Sequence, residues 1–425
     1  MTRRVHIIGA GLAGLSAAVR LCAAGVPITV HETAKHAGGR CRSFYDEALK
    51  ATIDNGTHLL LSGNRDVLEY VELIGGQAAL EGGAGAQFVF QDLSTRTSWC
   101  VDLGQNKGRV ALLRWLWDKR RQPPGFTRWG FGRDLLALSR GHGRSGHSKS
   151  VAACLDTTSE LYRTFWRPMT LAVLNVEPQV GSAQLLWAVL RDTVLRGSAF
   201  ASPVFAPQGL GAALVDPALA MLAKHGADVH FGRRISGLEC QGGRVSAIQF
   251  AHAAEVLGQD DAVVLAVPHH KVADVLEDFH VEMGAQSILN VHYRVAEDGL
   301  VGVPPRLVGL VEAKAQWLLQ RGPIVSVTVS DAQAWMDKDT DAIAHALWPD
   351  VAQALELSEM PSQYRVIKER RATFCASPEA QLKRRPTRTQ IANLVLAGDW
   401  TDTGLPATLE SAVKSGRLAA ETILA

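Results

Sequence analysis

The 425-residue chain has no run of roughly 18 uninterrupted apolar residues, the length that spans a bilayer as a helix, so no transmembrane segment is expected. It also has little net charge. Its 44 Lys and Arg against 42 Asp and Glu leave +2 with histidine neutral, which removes the general electrostatic case for a nucleic-acid partner. The six cysteines (Cys22, Cys41, Cys100, Cys154, Cys240 and Cys375) include no Cys-x-x-Cys pair and no metal-ligand spacing. A chain this long needs no disulfide staples, so they read as reduced thiols of a cytoplasmic protein, and no metal site is expected. Arg3 and Arg4 before the apolar stretch 5–24 imitate an export signal, but regularly spaced glycines and Arg20 interrupt it and no clean cleavage pattern follows. With 47% hydrophobic and 20% charged residues, the composition is that of an ordinary globular enzyme, long enough for two domains.

What is present begins at residue 5. The short apolar run 5–8 fits a strand buried on both faces. It runs into Gly9-Ala10-Gly11-Leu12-Ala13-Gly14, an alanine-rich helical stretch 15–24, Gly25 as a stop, and a second strand 28–30 ending at Glu32. Gly9 permits the tight turn, Gly11 lets the backbone approach a pyrophosphate, and Gly14 lets the helix pack closely on the sheet. The helix N-terminus offers free N–H groups to phosphate, and Glu32 offers a carboxylate to the ribose hydroxyls. These residues together indicate a dinucleotide and leave NAD and FAD open.

Gly38-Gly39-Arg40, with Arg42 and Ser43, decides between them. The segment resembles the GG-R-S signature of the flavin-containing amine oxidase and phytoene desaturase superfamily, where it extends the diphosphate site. At the far end an apolar strand pattern, 394–397, leads into Gly398-Asp399-Trp400, and a helix begins after Pro406 at Ala407-Thr408-Leu409. The resemblance implies that Asp399 meets the ribityl chain of FAD, that Trp400 packs on the cofactor, and that the helix N-terminus faces the flavin pyrimidine, where it would stabilise negative charge on the reduced ring. Strand patterns at 226–231, 234–240, 244–250 and 262–267 resemble the middle flavin-domain segment of the superfamily. The expected fold is α/β: a Rossmann-like FAD-binding domain of glutathione-reductase type, built from 1–100, 205–270 and 385–425, with an inserted α+β substrate domain from 101–204 and 271–384. No cysteine lies near Gly398-Asp399, so the FAD is expected to be held non-covalently.

The resemblance narrows at Asp54-Asn55-Gly56-Thr57-His58-Leu59-Leu60-Leu61 with Tyr70 and Ile74-Gly75. It narrows again at Phe165-Trp166-Arg167-Pro168, Leu171-Ala172 and Leu174-Asn175, and at Thr401, Thr403-Gly404 and Pro406-Ala407-Thr408. Over nearly the whole chain these segments are similar to the hydroxysqualene dehydroxylases, FAD-dependent enzymes of bacterial hopanoid clusters. One departure is Glu410-Ser411-Ala412, where Glu-Gly-Ala is expected, which puts a hydroxymethyl near the flavin edge. The resemblance implies a reductive dehydroxylation of a long-chain triterpenoid alcohol: hydride from reduced flavin, an acid to protonate the departing oxygen, and an apolar tunnel that excludes water. His58 is the candidate acid or orienting group, with Gly56 and Thr57 beside the cofactor. Trp166, Asn175 and Tyr293 are candidate tunnel residues. A carotenoid- or phytoene-type desaturase and an amine oxidase are the enzyme alternatives, and a flavin-binding redox protein without turnover is the alternative of another class. A single glycine fingerprint means no separate NAD(P)H domain, so electrons must come from an external donor.

One stretch stands apart. Residues 107–149 carry eleven Lys and Arg against Asp118 and Asp134, interleaved with Trp115, Trp117, Phe126, Trp129 and Phe131. Basic residues beside Trp and Leu suit a peripheral contact with an anionic membrane surface. The expected location is therefore the cytoplasm, against the inner face of the cell membrane.

Overall fold

A computed structural model describes residues 3–83, 85–104, 116–141, 148–276, 279–295 and 306–425. Among them, five strands drawn from distant parts of the chain form one parallel sheet, in the order Asp228–His230, Ile28–His31, Val5–Ile8, Ala262–Leu265 and Leu394–Leu396. Successive side chains of a strand face opposite ways. Val5, Ile7, Ile28 and Val30 pack with helices Leu12–Ala23, Asp216–Lys224 and Leu409–Leu424. On the other face Ile8, Val263 and Leu265 pack with Ile235, Val245 and Ile248. These last three belong to an antiparallel meander of Ile235–Gln241, Arg244–Phe250 and Ala254–Val256. Burial on both faces explains why the parallel strands read as unbroken apolar runs.

The two ends of the chain meet through two helices. A Cβ on Gly416 of the last helix would stand 2.2 Å from the Ala13 carbonyl oxygen, so only glycine permits this approach. Ser16 Oγ donates to the Val413 carbonyl at 2.7 Å across the same crossing.

The second unit is a seven-stranded sheet in the order Tyr364–Phe374, Ala285–Arg294, Ile324–Ser330, Trp317–Arg321, Arg306–Val311, Gln87–Asp92 and Thr97–Asp102. The last two strands shift the domain boundary read from the sequence. Residues 87–100, assigned there to the flavin domain, join the substrate-side sheet because Gln87–Asp92 pairs in parallel with Arg306–Val311 and carries Thr97–Asp102 with it. Helix Thr340–Leu355 covers one face of this sheet, packing Ile343, Leu347 and Val351 on Leu289, Val291, Val325 and Val327.

Tyr293 faces that covered side. It is fully buried between Trp348 and Tyr364, and its hydroxyl donates to the Ala344 carbonyl at 2.7 Å. It is a core residue here, not a tunnel residue. Trp166 is likewise fully buried: its indole stacks on Phe131 and donates to Asp134 Oδ2 at 2.9 Å. Asn175 closes helix Arg167–Leu174 in the left-handed conformation, which a short polar side chain tolerates. Its Nδ2 donates to Thr373 Oγ1, and its Oδ1 accepts from the Asp331 amide. All three side chains are spent on packing and internal hydrogen bonds, so none presents a surface to a ligand.

Candidate functional site

The nucleotide end is built on the first strand, turn and helix. Gly9 turns the chain with φ +106°, and a Cβ on Gly14 would lie 1.9 Å from the Gly9 carbonyl oxygen. A Cβ on Gly11 would meet nothing within 4 Å. Gly11 is also the N-cap of helix Leu12–Ala23, which has no side-chain cap, so the first-turn amides, that of Ala13 included, have no side chain competing for them. Gly38 donates its amide to the Ala10 carbonyl at 2.8 Å, which lays Gly38-Gly39 against the turn with Gly39 close to Gly11.

Glu32 directly follows the second strand. Its Oε2 accepts from the Ala10 amide and its Oε1 from the Ala34 amide, each at 2.7 Å. Two backbone donors fix the carboxylate beside the glycine turn, and each oxygen keeps a lone pair for a ribose hydroxyl.

One guanidinium ties the Gly398-Asp399 loop to the segment that follows the glycine turn. Arg40 Nη2 donates to Asp399 Oδ1 at 2.8 Å, and Nη1 donates to the Ala372 carbonyl. Among the described residues only Oδ1 of Asp399 is engaged, which leaves Oδ2 for another donor. Gly398 donates its amide to Ser415 Oγ at 2.8 Å, setting the loop on the last helix. That helix starts with Thr408 as N-cap, Thr408 Oγ1 accepting from the Ser411 amide. Ala407, Thr408 and Leu409 at its mouth are half-buried. Glu410 in its first turn accepts from the Asp66 and Val67 amides, each at 3.0 Å, and so caps helix Arg65–Ile74 as well. Burial pushes its carboxyl up to about 7 against the pull of those two amides.

Two expectations change here. The Ser411 side chain does not crowd the flavin edge: it is fully buried, its Oγ 2.6 Å from Thr403 Oγ1 and donating to the Asp399 carbonyl. Trp400 is buried beneath the loop, its indole donating to the Val267 carbonyl, so it supports the loop from below.

The segment Asp54 to His58 crosses between the two units. Asp54 accepts from Ser43 Oγ and the Leu210 amide through Oδ1, and pairs with Arg321 through Oδ2 at 2.9 Å. The Thr57 amide donates to Asn290 Oδ1, which also accepts from Thr328 Oγ1. Asn290 Nδ2 is buried without a partner among the described residues and lies 3.7 Å from where a Cβ on Gly56 would stand. His58 sits beside Gly56, facing the charges of Asp54, Arg40 and Asp399. Burial lowers its pKa, with Asp54 opposing, so its imidazole is neutral at neutral pH. His269, 8% exposed, faces the same Arg40–Asp399 pair and is held neutral in the same way.

Sequence reasoning missed Asn290, His292 and Arg384. Asn290 and His292 alternate with Leu289, Val291 and Tyr293 on one strand. The apolar parity goes to the helix-covered core and the polar parity to the face toward Thr57 and Asp54. A buried polar parity in an apolar strand was a readable signal. Arg384 carried none, because every contact that defines it is tertiary.

The residues fit a flavin dinucleotide. An uncapped helix N-terminus with open space before Gly11, a pinned Glu32, an Asp399 with one free oxygen and an orphaned amide at Asn290 are all complementary to phosphate, ribose, ribityl and ring heteroatoms.

Comparison with known proteins agrees. Residues 156–424 match the family model of flavin-containing amine oxidoreductases, and residues 7–72 match that of the NAD(P)-binding Rossmann-like domain. The chain is 40% identical over 424 residues to the hydroxysqualene dehydroxylase of Sinorhizobium fredii, covering 100% of this chain and 99% of the relative. It is 34% identical over 421 residues to that of Zymomonas mobilis, covering 99% and 98%. Among solved structures, a putrescine oxidase superposes with TM-score 0.69 at 15% identity over 100% of this chain and 99% of the other. Cyclohexylamine oxidase from Brevibacterium oxydans superposes with TM-score 0.68 at 16% identity, again over 100% and 99%.

Proposed function

The chain belongs to the hydroxysqualene dehydroxylases within the flavin-containing amine oxidoreductases, and from that premise we propose that it reduces hydroxysqualene to squalene. The observation that carries this reading is full-length identity of 40% to two dehydroxylases, against 15% to the putrescine oxidase and 16% to the cyclohexylamine oxidase that share the fold. The protein is an FAD-dependent oxidoreductase.

Bound and reduced, FAD supplies the hydride. Together with one proton, that hydride turns the allylic alcohol into hydrocarbon and water, so atoms and charge balance. The first-turn amides behind Gly11 would hold the diphosphate, Glu32 the ribose and Asp399 the ribityl chain. The helix N-terminus at Thr408 would face the ring and stabilise negative charge there. His58 serves as an orienting hydrogen-bond partner rather than a cationic acid, since burial keeps it neutral. Electrons reach the flavin from an external donor.

A single-turnover experiment tests the assignment. Anaerobic, pre-reduced holoenzyme mixed with hydroxysqualene should reoxidise one flavin per squalene formed, followed by flavin absorbance and product chromatography. Flavin that stays reduced with hydroxysqualene, while oxidised enzyme is bleached by phytoene or an amine, would transfer the protein to a rival activity.

We also propose that the basic, aromatic segment docks on anionic membrane. Lys107, Arg109, Arg114, Trp115 and Arg144 lie outside the described residues. Of those described, Trp129 is 92% and Trp117 71% exposed, with the Arg128 guanidinium 3.5 Å from the Trp117 ring centroid. On helix Arg128–Ser139, Trp129, Arg133 and Leu136 lie along one exposed face, while Phe131, Asp134 and Leu138 face inward. Burying Asp134 removes one of the two acids from the surface. No helix among the described residues is long and apolar enough to cross a membrane, and the substrate is a lipid, so interfacial seating by tryptophan and arginine supports the reading. The Trp117→Ala, Trp129→Ala double variant should sediment with phosphatidylglycerol vesicles at least tenfold less, roughly 1.4 kcal/mol, with FAD content unchanged. Equal sedimentation of wild type and variant would refute the docking face.

A further inference from the structure

We propose that His6, His31 and Glu255 form a binding site for one divalent transition ion of the zinc type, on the face of the parallel sheet opposite the helices. The three side chains come from three strands: Val5–Ile8, Ile28–His31 and the meander strand Ala254–Val256. His6 Nδ1 lies 3.4 Å from His31 Nε2 and 3.6 Å from Glu255 Oε1, and the three ligand atoms fall within 4.8 Å of one another.

These separations decide the chemistry. A nitrogen-donated hydrogen bond closes to about 2.7–3.2 Å, so both contacts are long for direct bonding. A single proton on His6 Nδ1 would moreover have to serve both neighbours. Ligand atoms held about 2.0–2.1 Å from a tetrahedral ion stand roughly 3.3–3.4 Å apart, close to the two separations that His6 makes.

The surroundings suit coordination. Arg233 holds the other carboxylate oxygen, Glu255 Oε2, at 3.1 Å, which leaves Oε1 turned toward the histidines. The guanidinium is itself fixed over the Phe250 ring, 4.0 Å from its centroid. Carboxylate ligands oriented by an outer hydrogen bond are the usual arrangement at metal centres. Burial keeps both imidazoles unprotonated, as ligands must be, with His31 lowered to about 3. Two imidazoles and one carboxylate favour zinc, cobalt or nickel over magnesium or calcium. His6 and His31 are buried and Glu255 is 32% exposed, so the fourth position opens toward solvent on the Glu255 side and takes water.

The role is structural. An ion here would staple the meander to the sheet at the residue before Glu32, away from the Arg40–Asp399 end of the cradle. The site is independent of the substrate assignment.

Untagged, FAD-loaded protein freed of metal by chelator dialysis should bind one equivalent of Co²⁺, giving tetrahedral ligand-field bands to the red of the flavin absorption. One equivalent of Zn²⁺ should erase them. Zn²⁺ should also raise Tm in the wild type. Glu255→Gln changes a surface-accessible carboxylate to a near-isosteric amide, and His6→Gln removes an imidazole. Each should weaken Co²⁺ binding at least tenfold and abolish the Zn²⁺-dependent rise in Tm, with flavin content unaltered. Absence of ligand-field bands in the wild type, or equal Co²⁺ affinity in wild type and both variants, would overturn the site.

Discussion

Gly11→Val is expected to abolish FAD binding while leaving a folded apoprotein. Gly11 has φ −74°, which any residue adopts, and a Cβ there meets nothing within 4 Å. A valine therefore costs the apoprotein little. Its two methyl groups would instead fill the space in front of the helix N-terminus, where a diphosphate must come within hydrogen-bond distance of the first-turn amides. Affinity should fall at least 100-fold, about 2.7 kcal/mol, measured by flavin fluorescence quenching on reconstitution. The apoprotein Tm should stay near that of deflavinated wild type. Gly14→Val is the contrasting control: its Cβ would sit 1.9 Å from the Gly9 carbonyl oxygen, so that chain should not accumulate as folded protein. Wild-type FAD affinity in Gly11→Val would mean the phosphates bind elsewhere.

Arg384→Met should be the most destabilising single change in the flavin loop. Arg384 is 6% exposed, and among the described residues its guanidinium has no carboxylate partner in hydrogen-bond contact. It donates to the carbonyls of Asp399, Trp400, Thr401 and Leu405 and to Thr403 Oγ1, and so gathers the whole 399–405 loop around one planar cation. Burial lowers its pKa to about 10, still cationic at neutral pH. Methionine fills similar volume but strands the acceptors, each buried one costing about 1–3 kcal/mol, so a loss of roughly 3 kcal/mol or more is expected in urea unfolding. Arg384→Lys keeps the charge but not the fork of donors, and should recover less than half of that loss. If methionine were tolerated within about 0.5 kcal/mol, the loop would have to be held by Ser411, Ser415 and Trp400 alone.

The strands and helices of the flavin domain were largely legible because short-range chemistry fixes them. The strand ending at Ile8 stops where Gly9 takes a positive φ, and the last helix starts where Thr408 caps it. The acids at positions 32 and 399 were visible for the same reason: each directly follows a strand, or a strand and glycine. Tyr293, Trp166 and Asn175 misled because an aromatic or an amide in a recognisable segment looks the same whether it lines a tunnel or fills a core. For Tyr293 the answer turns on strand parity, which only the covering helix Thr340–Leu355 reveals. Residues 87–100 went to the other domain because sheet membership depends on a partner more than two hundred residues away.

By itself, then, the sequence determined which backbone segments turn, cap and extend, and that a phosphate-binding turn and two carboxylates were present. The tertiary structure alone decided that Arg40 joins Asp399, that Arg384 gathers the flavin loop, and that His6 meets His31 and Glu255. Local conformation is set by neighbours a few bonds away. Distances between side chains remote in the chain exist only after the sheets have chosen their order and register.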